Sequence, residues 1–292
     1  MKNNILYTII LSMFVNVAFT QDLALNSSPS KKMLIEANFV KKEVVPRFWS
    51  TTAARTIRQG RIEKGLFAPL RFGLKDNLEI QVHPILFFVM PNARLKKNWT
   101  LNQSNKLQVA TEHGFTYPTI LLNLLSKSGV GGIFPSTRTA PAILTVKNKL
   151  IASYYYHRLH SISLKAAMEF NLLQAMGNNF PEIELLLIYP RTAVYNNTYT
   201  GEVAISFEGV VAKKIGYDSD IRMFLIPNND FTWVLEWNPK LYYNASNNFR
   251  IMAGAIVTTG NIKNEKAAFR AMPVLDLQFT IGQKSKRLKK KK

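Results

Sequence analysis

Residues 61–91 read RIEKGLFAPLRFGLKDNLEIQVHPILFFVMP, and the run alternates. In its first half Ile62, Leu66, Ala68, Leu70, Phe72 and Leu74 fall on one side. Glu63, Gly65, Pro69, Arg71 and Gly73 fall on the other. Lys75, Asp76 and Asn77 supply a three-residue turn, which places Leu74 opposite Leu78, Gly73 opposite Glu79, Phe72 opposite Ile80, Arg71 opposite Gln81 and Leu70 opposite Val82. In the second half Leu78, Ile80, Val82, Pro84, Leu86 and Phe88 share a face opposite Glu79, Gln81 and His83. Apolar residues at period two with turn chemistry between two such runs predict a β-hairpin. Strands of soluble sheets run to about 5–6 residues. Strands that cross a bilayer need about 9–11, apolar outside and polar inside. Read as two continuous strands, this hairpin fits the second description.

The same rhythm continues along the chain. Strands are expected at 92–100, 106–116, 142–146, 150–157, 162–172, 182–189, 199–212, 221–226, 231–239, 249–257 and 273–281. The segment 117–125 reads as strand or short helix. Lys147, Asn148 and Lys149 read as a turn, and loops are expected at 126–141, 190–198 and 258–266. The count is about ten to twelve strands. The fold class is all-β: an antiparallel up-and-down transmembrane β-barrel.

Composition agrees. The start, MKNNILYTIILSMFVNVAFTQ, has a basic residue, an apolar run and short side chains before Gln21, as a signal peptide does. No Cys occurs in the 292 residues, so neither lipoprotein anchoring nor disulfides are available. After the leader no apolar run approaches the ~18 residues of a membrane helix. Yet 47% of the chain is hydrophobic, with mean hydropathy −0.04. Apolar content dispersed at period two is how a membrane barrel escapes a hydropathy window. The expected organisation is a signal peptide at 1–20, an exposed N-terminal segment at 21–60, the barrel at 61–282 and a basic tail at 283–292. A short helix is expected near 32–40, and 50–60 reads as a strand or plug-like approach to the first hairpin.

The net charge is +20, with seven basic residues in the last nine positions. Charge runs usually solvate, and in an exported chain a nucleic-acid partner is not expected. Tyr and Trp gather near strand ends: Trp49, Trp99, Tyr117, Tyr154, Tyr155, Tyr156, Tyr189, Tyr195, Tyr199, Tyr217, Trp233, Trp237, Tyr242 and Tyr243. They are expected to form the interfacial girdles of a barrel.

The run Ala54-Arg55-Thr56-Ile57, Gly60-Arg61, Gly65-Leu66-Phe67 and Pro69–Leu74 resembles the opening of Gram-negative outer-membrane β-barrels. These include barrels encoded near aromatic-degradation operons and assigned to transport. In them an ART-like approach leads into a hairpin with a G-L-x-D-x-L-E turn, here Gly73-Leu74-Lys75-Asp76-Asn77-Leu78-Glu79. The resemblance covers about thirty residues. It implies an outer-membrane location, with membrane lipids and the barrel-assembly machinery as partners and a small-molecule solute as cargo. The ending departs from the family: Phe279 is followed by TIGQKSKRLKKKK rather than closing the chain.

Candidate chemistry is sparse. His157 and His160 sit near Ser161 and Ser163, where a metal pair or a Ser/His acyl-transfer site is conceivable, but no orienting acid is close in sequence. His83 and His113 read as lumen or loop residues. The stretch 129–134, GVGGIF, lacks the Lys-Ser/Thr ending of a phosphate loop. No catalytic residue, cofactor or metal is expected. The lumen is expected to be lined by Glu63, Arg71, Glu79, Gln81, Lys165, Glu169, Glu202, Glu236 and Asp276, with Arg71 paired to Glu79 beside the first turn. The leading reading is a non-enzymatic narrow channel or carrier for a small solute, or a structural surface barrel. A lipid-modifying barrel enzyme and a secreted soluble β-sandwich stand as alternatives.

Overall fold

The computed structural model describes residue 49 and residues 52–100, 106–127, 139–157, 160–173, 186–212, 214–227, 232–246, 248–262 and 265–282. The leader, the helix expected near 32–40, most of the loop at 126–141 and the basic tail lie outside the described residues. The described residues all fall in one compact unit.

Among the described residues twelve antiparallel strands close into a barrel. They are β1 (Ile62–Gly65), β2 (Leu70–Lys75), β3 (Leu78–Val82), β4 (Asn92–Asn98), β5 (Leu107–Thr116), β6 (Thr145–His157), β7 (His160–Asn171), β8 (Tyr199–Ala212), β9 (Ile215–Ile226), β10 (Thr232–Asn244), β11 (Phe249–Ile262) and β12 (Glu265–Ile281). Each pairs with its sequence neighbour, and β1 pairs with β12 through Ile62↔Ile281, Glu63↔Thr280, Lys64↔Phe279 and Gly65↔Gln278. Short helices sit in the connections: α1 (Pro84–Phe87), α2 (Thr119–Leu125), α3 (Tyr189–Thr192) and a 3-10 turn at Ala193–Tyr195.

The faces are those of a membrane barrel. Along β7, Ser161, Ser163 and Lys165 are buried, whereas Leu164 between them is 60% exposed. Along β10, Thr232, Val234, Glu236 and Asn238 are buried and Trp233, Leu235 and Trp237 are exposed. A soluble barrel would reverse this arrangement. Outward side chains at Leu70, Val82, Leu164, Phe170, Ile205 and Leu277 alternate with the inward set on their strands, so hydrocarbon is the solvent this surface is built for.

The two ends differ. At one end the connections 76–77, 158–159 and 213–214 have two residues each, and both Ile62 and Ile281 lie there. The opposite end carries the long connections 117–144 and 172–198. Short turns face the periplasm and long loops the outside in barrels of this kind.

Several sequence expectations need correction. The opening run is not one long hairpin. A turn at 66–69 separates β1 from β2, and β3 stops at Val82. Pro84 has no N–H for the ladder. It starts α1 instead, with His83 Nδ1 accepting the Leu86 N–H at 3.4 Å. Leu66, Phe67, Ile85, Phe87 and Phe88 are exposed and carry the apolar surface above these short strands. The register Leu70↔Val82, Arg71↔Gln81, Phe72↔Ile80 and Gly73↔Glu79 is as the sequence suggests, but Lys75 faces Leu78 and Leu74 is the bulge. The expected turn at 147–149 is strand, because β6 is continuous, and so are 258–262 and 265–266 of the expected loop, where β11 runs on to Ile262 and β12 starts at Glu265. Strand is absent at 186–189, and α3 starts at Tyr189 with Pro190 in its first turn. The ambiguous 117–125 is helical.

Girdle residues also split. Trp99, Tyr154, Tyr156 and Tyr243 are exposed at the short-turn end, and Trp233 is exposed near the loop end. Trp49, Tyr155 and Tyr189 are buried, and Tyr242 faces inward.

A Leu164→Arg substitution places a charge on the lipid face in mid-strand. It should lower the stability of the barrel in lipid vesicles by about 2–4 kcal/mol, as measured by urea unfolding. A change within error would mean that this face does not meet hydrocarbon.

Candidate functional site: the occupied bore

The segment expected to be exposed up to residue 60 instead enters the barrel. Trp49, Ala53, Ala54, Thr56 and Ile57 are buried. The reason is a set of polar groups on the inner wall that receive its backbone. The Ala54 N–H donates to Ser153 Oγ at 2.8 Å, and the Ile57 N–H donates to Glu79 Oε2 at 2.8 Å. Lys96 Nζ donates to the carbonyls of Ala53 at 2.5 Å and Arg55 at 2.7 Å. Thr56 Oγ1 donates to the Asp76 carbonyl at 2.8 Å, and Asp76 Oδ1 accepts the Gln59 N–H at 3.1 Å. Ala54 packs on Ala110 and Ile151 of β5 and β6, and Arg55 stacks 4.5 Å from the Tyr155 ring. On the other side Trp49 lies against Arg61 and Arg250, 5.7 and 4.5 Å from its ring. The segment therefore crosses the bore at the short-turn end.

Two glycines let it leave. Gly60 has φ +73°, which turns the chain into β1. Its N–H donates to the Gly73 carbonyl at 2.8 Å. Gly73 faces inward on β2, and a Cβ there would overlap the Arg58 carbonyl oxygen.

The carboxylate of Glu79 is fully buried. It is held by the Ile57 N–H, by Gln81 Nε2 at 2.8 Å and by Lys96 Nζ at 4.0 Å, directly across β3 and β4. The acid expected to pair with Arg71 is thus held by Lys96. Lys96 lies directly opposite Glu79, whereas Arg71 is only its diagonal neighbour.

The wall from β6 to β10 is closed by ion pairs. Lys147 binds Glu202 at 2.5 Å and Glu169 at 3.8 Å, and Lys149 binds Glu202 at 3.2 Å. Lys165 meets Asp220 at 2.7 Å, and Arg222 joins Asp220 to Glu236. Arg191, from α3, holds both oxygens of Glu236 at 2.6 and 2.7 Å. That contact brings the 186–197 connection into the loop end, where Leu186, Tyr189 and Ala193 pack on inward Phe224, Ile226, Val234 and Ile262. Beside it Leu122, Ala140 and Ile143 cluster with Leu125 and Tyr195.

Space remains along the opposite wall. A cavity of about 240 Å³ runs between Trp49 and the β1–β2 turn, bordered by β1, β2 and β9–β12. Glu63, Arg71 and Asp276 line it, with Asp218, Lys240, Tyr242 and Arg250. Glu63 is paired with Arg61 at 3.0 Å. Asp276 accepts the Phe67 N–H at 2.9 Å and Gln278 Nε2 at 2.8 Å. The nine residues singled out in the sequence therefore fall in three places: Glu79 and Gln81 under the plug, Glu63, Arg71 and Asp276 at the cavity, and Lys165, Glu169, Glu202 and Glu236 in the ion-pair wall.

Sequence reasoning missed Lys96, Lys147, Lys149, Asp218 and Asp220 as members of these sets. The alternation Tyr217-Asp218-Ser219-Asp220 carried a readable signal. Lys147 and Lys149 were hidden by their turn-like composition. His157 and His160 stand opposite each other in register across β6 and β7, and the side chain of His157 lies outside the described residues. His160 faces out, with Nδ1 3.2 Å from Tyr217 Oη, whereas Ser161 and Ser163 face in and bond Glu208 and Ser153. Neither serine can meet the His160 ring. His83 Nε2 lies 2.8 Å from the Phe67 carbonyl. His113 is exposed on the outward face beside Asn148, so it is not a lumen residue.

No family model matches the chain, and no curated protein does. Among solved structures it is similar to the outer-membrane expressed OmpT of Vibrio cholerae. That match has 12% identity over 80% of this chain and 70% of that one, with a TM-score of 0.40. It is also similar to the CymD monoaromatic hydrocarbon channel, with 8% identity over 85% and 93% and a TM-score of 0.38. At these scores the likeness carries no inference about what the chain binds.

A Lys96→Met variant strands the buried Glu79 carboxylate and should cost about 3–5 kcal/mol. Adding Glu79→Gln should restore most of that loss in chemical unfolding. A double variant as unstable as the single one would assign the role of Lys96 to the 53 and 55 carbonyls alone.

Proposed function

We propose that the chain is an outer-membrane barrel that passes a small polar solute along the β10–β12, β1 and β2 wall, with residues 49–60 as its gate. The observation that carries this reading is the way the plug is held. Its contacts to the wall are mostly hydrogen bonds between side chains and single backbone groups, with a small apolar patch at Ala54 and ring contacts at Arg55–Tyr155 and Trp49–Arg250. Water can replace such bonds at little net cost, so the segment can detach without unfolding the barrel. The cavity lies on the side that the plug touches through Trp49 and Thr52. The ion-pair wall supports a narrow path, because its charges are neutralised in place and leave no wide aqueous bore. Placement of His160 on the face opposite Ser161 and Ser163 favours transport over the acyl-transfer alternative.

The test is conductance in planar lipid bilayers. The natural chain should show small, rare openings. Gly73→Leu pushes a side chain into the Arg58 carbonyl. It should expel the segment, expose Arg55 and Arg58 to trypsin, and give larger and longer openings. Trypsin cleavage without any rise in conductance would make the chain a structural surface barrel instead.

A further inference from the structure

We propose that the cavity beside Trp49 is a binding site for a small zwitterion carrying both a primary ammonium and a carboxylate. The proposal rests on the transport reading and names its solute class. Two buried groups of opposite sign carry it.

Arg250 supplies the cationic pole. It is almost buried on β11, and its Nε donates to Gln278 Oε1 at 2.5 Å. Its guanidinium lies 4.5 Å from the Trp49 ring and 4.2 Å from the Tyr242 ring. Contacts with two rings fix the plane of the group. The two terminal amino groups make no hydrogen bond to a described residue, and Arg250 lines the cavity. A planar fork held this way matches a carboxylate with two parallel N–H···O bonds.

Asp218 supplies the anionic pole. It is 2% exposed and lines the same cavity. Its Oδ2 has the Tyr242 hydroxyl at 3.4 Å and Lys240 Nζ at 3.8 Å. Its Oδ1 is buried and has no hydrogen-bond partner among the described residues. A buried carboxylate oxygen without a donor is costly and is the exception in folded proteins. A ligand ammonium, with three donors, satisfies it. Glu63 and Asp276 do not compete for that role, because Arg61 holds the first, and the Phe67 N–H and Gln278 hold the second.

Tyr242 sets the separation. Its ring lies against Arg250 and its hydroxyl reaches Asp218, so the two poles stand about one tyrosine apart. The inward charges around the cavity balance: Arg71, Lys240 and Arg250 against Glu63, Asp218 and Asp276. A balanced lining suits a solute of no net charge but large dipole over a simple anion or cation.

Isothermal titration of the full-length barrel in detergent tests this with glycine, β-alanine and γ-aminobutyrate, and with butyrate and butylamine as single-charge probes. At least one amino acid should bind ten-fold or more tighter than either single-charge probe. Arg250→Gln should reduce amino-acid affinity to that of the amine, and Asp218→Asn to that of the carboxylate. Heat-modifiable mobility on a gel shows that each variant is folded. Equal affinity for the amino acids and their single-charge analogues, or unchanged affinity in both folded variants, overturns the proposal. Conductance gained by Gly73→Leu with no amino-acid binding also overturns it while leaving the transport reading intact. Selective amino-acid binding in a barrel that never conducts upholds the site and removes the transport reading.

Discussion

Hydrocarbon offers no partner to a backbone N–H or C=O, and each group left unpaired there costs several kcal/mol. A sheet that crosses a bilayer must therefore close, and every other feature of this chain follows from where it does. Closure falls on β1, four residues long, against the last four positions of β12. The ladder is continued by the Leu66 N–H, which donates to the Leu277 carbonyl at 3.0 Å. Short strands at β1–β4 and long ones at β6–β12 make a wall of uneven height. Apolar turns and α1 extend it on the short side, where Leu66, Phe67, Ile85 and Phe88 are exposed.

Closure turns the sheet inside out relative to a soluble barrel, and the interior inherits the polar face. Charges in a narrow bore are unfavourable unless paired. The chain meets this in two ways. Across β6–β10, acids and bases on adjacent and next-but-one strands neutralise one another. Under the plug the partners of the buried polar side chains are backbone groups of the entering segment. Lys96 shows the logic: its one acid, Glu79, lies at 4.0 Å, and two carbonyls from the plug complete its shell. The plug is thus part of the electrostatics of the wall as well as an obstacle in the bore.

How much of this was legible varied with the signal. The all-β barrel, its strand count and its inside-out faces followed from period two alone, because lipid and lumen impose opposite chemistry on adjacent residues. The first register was readable from Gly73↔Glu79 back to Leu70↔Val82, since a slip of one residue would put Arg71 in lipid. Strand ends were not. Lys147 and Lys149 look like a turn by composition but are inward members of an ion-pair set. Thr258, Thr259 and Gly260 look like a loop but continue β11 beyond the apolar belt, where neither face needs to be hydrophobic. Pairing across the bore was illegible for a different reason. The Arg191–Glu236 contact and the seat of Trp49 on Arg250 depend on connections folding inward, and no periodicity records that.

The asymmetry of the interior has a physical origin in the same wall. In register, Glu208 of β8 stands directly opposite Asp218 of β9, both facing in. Like charges opposite one another are destabilising, and the base for Asp218 stands on its other neighbour, where Lys240 of β10 is directly opposite. Ser161 donates to Glu208 at 2.8 Å, while Lys240 stands 3.8 Å from Asp218. Elsewhere on the wall the cross-strand partner of an inward acid is often a base, as at Lys147↔Glu169, Lys96↔Glu79 and Arg222↔Glu236. There side chains reach across to each other and the bore fills. Between Glu208 and Asp218 no such bridge can form, and Asp218 lines the open cavity together with Lys240. The cavity is thus bordered at Asp218 by an acid whose two cross-strand neighbours are of opposite sign, Glu208 on β8 and Lys240 on β10, and only one oxygen of that carboxylate is turned to the base.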